Sequence, residues 1–129
     1  LLIDTGSPHY VKKVNNWQSL DVNREGAEIR YDKNISEDGV NVDFLYNDKG
    51  KIHIRTYERG VENETLACGT GVTASAIAAS LWFGGNDIDI YTQIAKLNVR
   101  FDIENNSFKN VVLSGPAAHV FDGLFIFAE

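Results

Sequence analysis

One cysteine, Cys68, stands in the run Cys68-Gly69-Thr70-Gly71, directly before a stretch of small apolar residues. That stretch reads as a helix. A helix N-terminus carries about half a positive charge and a set of unpaired N–H groups. A thiol placed there is expected to have its pKa lowered toward neutrality. Gly69 and Gly71 let backbone amides approach a ligand, and Thr70 adds a hydroxyl, so the loop has the parts to hold a carboxylate or a phosphate. The plain alternative is a small buried hydrophobe, the commonest role of a free cysteine. The Gly-Thr-Gly context favours chemistry, because an inert core position needs no such loop.

Other residues with chemical capacity lie upstream. Glu58-Arg59-Gly60 ends a strand-like stretch, and neighbours on a strand point to opposite faces, so Glu58 and Arg59 are not a pair by default. The Arg59 guanidinium suits a carboxylate clamp, and Glu58 suits the orientation or charging of a base. Alone, the two residues would be an ordinary solvated strand end. His9 follows Gly6-Ser7-Pro8 in a polar turn, where a surface or capping role is the simple reading. Asn41 opens a strand as an exposed amide would. His53 and His119 have no special context, and no His/Cys/Asp/Glu spacing points to a metal. Gly69-Thr70-Gly71-Val72-Thr73-Ala74 matches a dinucleotide fingerprint in letters only, because a polar run, Glu62 to Thr65, precedes it instead of a buried strand.

The elements that must position these residues follow from periodicity. Leu1-Leu2-Ile3 reads as a strand end, Asp4 to His9 as a turn, and Tyr10 to Val14 as extended. Leu20 to Tyr31 suits a helix weakened by Gly26. Val42, Phe44 and Tyr46, then Ile52, Ile54 and Thr56, alternate around Asn47-Asp48-Lys49-Gly50 and predict a hairpin. Glu58 to Thr65 reads as a loop. Gly71 to Phe83 has almost no charge and predicts a helix buried on nearly all sides, stopped by Gly84-Gly85. Further strands are expected around Ile88 and Ile90, Leu97 to Ile103, Val111 to Leu113 and Val120 to Phe127. Strands and helices do not alternate regularly, which argues against a doubly wound parallel sheet. The expected fold is α+β, a strongly curved, barrel-like antiparallel sheet wrapped around one apolar helix.

Composition bounds the function. The chain has 129 residues, enough for one domain with a real core. Its 12 basic and 18 acidic residues give a net charge of −6, which argues against nucleic acid as a partner. No apolar run approaches membrane-spanning length. A single cysteine excludes an internal disulfide framework. The chain contains no methionine and opens on Leu1-Leu2-Ile3. Leu1 is therefore read as an internal point of a longer polypeptide, with removal of an initiator Met as the alternative.

The run Tyr57 to Gly71 closely resembles the C-terminal signature of the diaminopimelate epimerase family. Gly6-Ser7-Pro8-His9, Asn41-Val42-Asp43-Phe44 and Ser114 to Gly123 agree in order and approximate spacing, so the resemblance covers essentially the whole chain. It implies a cofactor-free, cytoplasmic isomerase of lysine and cell-wall precursor synthesis that interconverts LL- and meso-diaminopimelate. It also implies two pseudo-symmetric α+β domains, each supplying one cysteine. Residues 1–129 then correspond to the C-terminal half, and the strand at about 120–127 to one that crosses to the N-terminal domain.

Carried over by position, Cys68 matches a catalytic cysteine, and His9 and Glu58 match side chains that tune the thiols. Ser7, Asn41, Glu58, Arg59, Gly69 and Thr70 match substrate-holding positions. Ser7 departs from the Asn that many members carry. A second cysteine and a Gly-Asn-Gly-x-Arg-like segment are absent. The implied partners are a small-molecule substrate and the missing N-terminal half, with a homodimer conceivable, and the chain alone is expected to be inactive. A proline or hydroxyproline racemase, or a module in which His9 activates Cys68 for acyl transfer or that simply binds carboxylates, stays open.

Overall fold

The computed structural model describes residues 1–128. Ten elements follow in order: β1 (Leu2–Asp4), β2 (Pro8–Lys13), α1 (Val22–Arg30), β3 (Asn41–Asp48), β4 (Lys51–Glu58), β5 (Asn63–Thr65), α2 (Gly69–Phe83), β6 (Asp87–Tyr91), β7 (Lys96–Glu104) and β8 (Ser107–Ser114). The strands form one sheet in the order β1-β2-β3-β4-β6-β7-β8, with β5 paired to β4. The α+β class is as the sequence reads, but the sheet is mixed. β2 runs parallel to β3 and β4 parallel to β6, while the remaining pairs are antiparallel. Each parallel step has a helix in its connection, α1 between β2 and β3 and α2 between β4 and β6, as a crossover requires.

Helix α2 packs against β2, β3, β4, β6, β7 and β8, so the sheet curves around it. Its interior positions Val72, Ala74, Ala76, Ala78 and Ala79 are fully buried. Small side chains allow that close approach from several strands at once. Helix α1 lies against the other face, on β3, β4 and β5. Strand alternation separates the two cores. Val11, Leu45 and Ile54 pack with α2, whereas Val42, Phe44 and Tyr57 join Leu20, Val22 and Val40 on the α1 side.

Local chemistry accounts for the element ends. Asp21 caps α1, its carboxylate accepting from the Arg24 N–H at 3.1 Å. Gly26, a weak point in the sequence pattern, is a packing requirement: a Cβ there would lie 2.5 Å from Tyr57 Cβ. Gly84, with φ +86°, ends α2.

Three expectations need correction. Pro8 and His9 belong to β2 instead of the preceding turn, because Gly6 at φ +109° already turns the chain by Ser7. Asn63–Thr65 is a short strand inside the expected loop, held by pairing with β4. Residues 120–127 form no strand. An extended segment becomes one only when its backbone groups find partners, and the sheet ends at the β7–β8 pair. Val120, Phe121, Leu124, Phe125, Ile126 and Phe127 are 78–92% exposed. No helix among the described residues is long and apolar enough to cross a membrane.

Candidate functional site

The inward face of the sheet changes character along its length. His9, Asp43 and Thr56 occupy the same alternation as Val11, Leu45 and Ile54, one step nearer the start of α2. The apolar core therefore ends in a patch of buried polar groups. The strand registers bring them together: His9 pairs with Asn41, Val11 with Asp43, and Asp43 with Thr56. His9 and Asp43 are both fully buried.

His9 Nδ1 lies 2.6 Å from Asp43 Oδ2, and the Thr56 hydroxyl donates to Asp43 Oδ1 at 2.6 Å. Both carboxylate oxygens are thus occupied. A ring nitrogen facing a carboxylate carries the hydrogen, which leaves Nε2 as the acceptor toward the helix. Thr70 Oγ1 is 2.9 Å from Nε2, and Ser7 Oγ is 3.1 Å from it. The two hydroxyls are 3.2 Å apart.

Two features fix α2 on this patch. The Thr5 hydroxyl donates to the Thr70 carbonyl at 2.8 Å and clips the β1–β2 turn to the first turn of the helix. Gly71 has no side chain where a Cβ would stand 2.5 Å from Asp43 Oδ1 and 3.1 Å from His9 Cε1. The second glycine of the Gly-Thr-Gly run is thus a contact position against the His9–Asp43 pair.

Cys68 is the N-cap of α2 and half-buried. Its Sγ lies 3.4 Å from Thr70 Oγ1. The expected depression of its pKa does not occur. Burial pushes the thiol up. The Thr70 hydroxyl and the Gly71 N–H pull the other way, and the Glu58 and Asp43 carboxylates add to the rise. The helix terminus acts here through one amide, which desolvation and two nearby negative charges outweigh.

The remaining predicted residues surround this centre. Asn41 donates to the Pro8 carbonyl at 3.2 Å and to Ser7 Oγ at 3.3 Å, and its Oδ1 accepts from the Arg59 N–H at 2.8 Å. Arg59 therefore joins through its backbone, while its Nη1 donates to the Gly39 carbonyl at 2.9 Å. Glu58 acts on Cys68 through its charge. Gly69 is exposed in the first turn of α2. His53 stacks between Tyr46 and Tyr91 on the α1 side of the sheet, and His119 pairs with Asp122 in the exposed tail. Among the described residues no cluster of His, Cys, Asp or Glu fits a metal ion.

Sequence reasoning assigned no role to Asp43, Thr56 or Thr5. For Asp43 the alternation of Val42, Phe44 and Tyr46 hides the signal, since it assigns Asp43 to the opposite face, which α2 covers only in the folded chain.

The comparisons with known proteins accord with this constellation. The family model described as diaminopimelate epimerase matches residues 1–120. A diaminopimelate epimerase from Flavobacterium psychrophilum is 46% identical over 125 residues, covering 95% of this chain and 49% of that protein. One from a Hydrogenobaculum species is 43% identical, covering 95% of this chain and 44% of that protein. This chain thus spans about half the length of the curated relatives it matches. Among solved structures, a phenazine biosynthesis protein of the PhzF family from Enterococcus faecalis aligns with a TM-score of 0.57 at 18% identity, over 75% of this chain and 35% of that one. That likeness is one of fold. With a Cys-Gly-Thr-Gly helix start set on a buried His–Asp pair, and relatives this similar along nearly its whole length, the chain belongs to the diaminopimelate epimerase family.

Proposed function

We propose that this chain is the C-terminal half of a cofactor-independent epimerase of lysine biosynthesis, which interconverts LL- and meso-diaminopimelate through two opposed cysteines. The observation that carries the reading is Cys68 at the start of α2, linked through Thr70 to the buried His9–Asp43 pair, within a chain of this family. Inversion at an α-carbon requires a base on one face and an acid on the other. Cys68 supplies one of them. A thiol whose pKa is raised by burial stays protonated near neutrality, which suits it to return a proton to the carbanion. The opposing thiolate, from outside this chain, removes the α-proton. The N–H groups at the start of α2, including those of Gly69 and Thr70, hold the substrate α-carboxylate. Ser7, Asn41, Arg59 and Glu58 hold the rest of the amino acid, and Glu58 also tunes the thiol.

The test is to incubate the 129-residue chain with LL-diaminopimelate in heavy water, alone and mixed with the N-terminal half of a relative. The chain alone is expected to yield no meso product, and the mixture to yield meso product deuterated at the α-carbon. Sustained meso product from the chain alone, abolished by Cys68→Ala, would sink the requirement for two halves. A burst of acyl-enzyme without α-deuteration would instead identify a cysteine nucleophile. The interposed Thr70 disfavours that outcome, since His9 does not reach the sulfur directly.

A further inference from the structure

Arg59 is held differently from the arginines near it. Arg30 and Arg55 each pair with a glutamate, Glu62 and Glu64. Arg59 pairs with no carboxylate among the described residues. Its guanidinium donates from Nη1 to the Gly39 carbonyl at 2.9 Å, and its backbone N–H donates to Asn41 Oδ1 at 2.8 Å. Most of the guanidinium donors are left for a ligand, in a direction that the Gly39 carbonyl and the Arg59 backbone set.

Both anchors lead to Glu62, in the turn between β4 and β5. Its carboxylate accepts from the Gly60 N–H at 2.9 Å, so the consecutive N–H groups of Arg59 and Gly60 are each tied to a side chain. The same carboxylate accepts from Arg30 Nε at 3.1 Å. Arg30 in turn fills the space beside Gly39, where a Cβ would lie 2.9 Å from Arg30 Cζ, and its Nη1 donates to the Asp38 carbonyl at 3.4 Å. Arg30 therefore fixes the segment whose carbonyl receives Arg59. The Tyr31 and Tyr57 hydroxyls complete the carboxylate's partners, at 2.7 and 3.3 Å. Glu62 itself has φ +58°, a conformation that costs energy for a residue with a side chain and persists only where its surroundings impose it.

We propose that Glu62 is a positioning residue for substrate binding, which aims the Arg59 guanidinium from behind, through Gly60 on one side and through Arg30 and Gly39 on the other. Glu62 does not touch the substrate. This inference deepens the proposed epimerase reading and rests on it, because there Arg59 holds part of the amino acid. A planar guanidinium grips a carboxylate only in one orientation, so loss of the aim weakens the grip. The grip is the same in ground state and transition state, so its loss raises KM and leaves kcat in place.

The first measurement needs no substrate, so its failure is separate from failure of the epimerase reading. Amide hydrogen exchange is followed by NMR in the wild-type chain, Glu62→Ala and Glu62→Gln. The Arg59 N–H does not bond to Glu62, so its exchange reports the aim of the turn and not the deleted contact. Relative to the interior amides of β4, it should speed up about tenfold in Glu62→Ala and about threefold in Glu62→Gln, whose amide oxygen still accepts from Gly60. Unchanged exchange at Arg59, or equal acceleration throughout β4, would overturn the proposal. If Glu62→Ala does not fold, Glu62→Gln decides by the same criterion. The second measurement uses the mixture with the N-terminal half of a relative. There Glu62→Ala should raise KM for LL-diaminopimelate about tenfold with kcat within about twofold of wild type. A fall in kcat at unchanged KM would overturn the positioning role. An inactive wild-type mixture would count against the epimerase reading, and the exchange measurement would still decide the role of Glu62.

Discussion

The centre of the sheet and its β7–β8 edge contrast in how completely they are covered. On β3 and β4, Val42, Phe44 and Leu45 are fully buried, and Ile54 and Tyr57 nearly so, because α1 covers one face and α2 the other. On β7 and β8, Ile103, Val111, Val112 and Leu113 are 41–50% exposed, and the tail beyond them carries six large apolar side chains in water. The covered middle strands hold the His9–Asp43 pair, whose geometry needs packing on both sides. The uncovered end ends at an unpaired strand. Apolar surface of this kind is where docking of another protein surface would remove most area from water. The difference teaches that the doubly covered packing and the polar centre lie in the middle strands, while β7 adds Val99 and Phe101 to the core and the outer β8 edge and tail carry the capacity for association.

Deletion of core volume gives the sharpest test of that contrast. Phe44→Ala is expected to destabilise the chain by about 3–5 kcal/mol, and Val112→Ala by less than about 1 kcal/mol, read from urea midpoints. Equal losses would mean that the β7–β8 end is covered in solution and would break the comparison. The next effect concerns the turn between β4 and β5, beside α1. Glu62 takes hydrogen bonds from the Gly60 N–H at 2.9 Å, the Tyr31 hydroxyl at 2.7 Å and Arg30 Nε at 3.1 Å. These hold its carboxyl down at about 2, against an ordinary value of 4.5. A depressed carboxylate contributes stability that is complete above its ordinary range and lost as pH falls through the folded value. Glu62→Gln should therefore lower the urea midpoint at neutral pH, and the gap to wild type should close between pH 4.5 and about 2. A gap independent of pH would show that the charge plays no part. The smallest effect is at Ser75, fully buried in α2 with a hydroxyl that has no hydrogen-bond partner among the described residues. Ser75→Ala should be neutral or stabilising by up to about 1 kcal/mol, since it removes an unsatisfied group. A loss above that would reveal a partner for the hydroxyl at this otherwise apolar stretch of helix.

Much of this architecture was legible because periodicity reports burial. The alternation of Val42, Phe44 and Tyr46 with Ile52, Ile54 and Thr56 marked the β3–β4 hairpin, and the uncharged run of Gly71 to Phe83 marked α2. Sheet direction was not legible. The parallel β2–β3 and β4–β6 steps depend on where α1 and α2 dock, which no local pattern records. Cys68 and Thr70 stood out through the Gly-Thr-Gly context, whereas His9, Ser7 and Asn41 joined them only through the family resemblance, since each of these has an ordinary role alone. The sign of the Cys68 shift was missed because a helix terminus is a sequence feature, whereas desolvation and the Asp43 and Glu58 charges arise from tertiary packing. Asp43 was overlooked for the same reason: its partner His9 is 34 residues away.

The long separations within the site bear on how it forms. His9 and Thr70 are 61 residues apart in sequence, and both parallel strand pairs enclose a helix before they close. Ordering such loops comes before the contacts that reward it, so chains of this topology fold slowly compared with helical bundles. The parts of the polar centre come from the β1–β2 turn, β2, β3, β4 and the start of α2. No early hairpin or isolated helix contains enough of them to resemble it. Hydrogen-bonding competence at His9 should therefore arrive late, with the last docking event, and a refolding chain would remain chemically silent until its topology is complete.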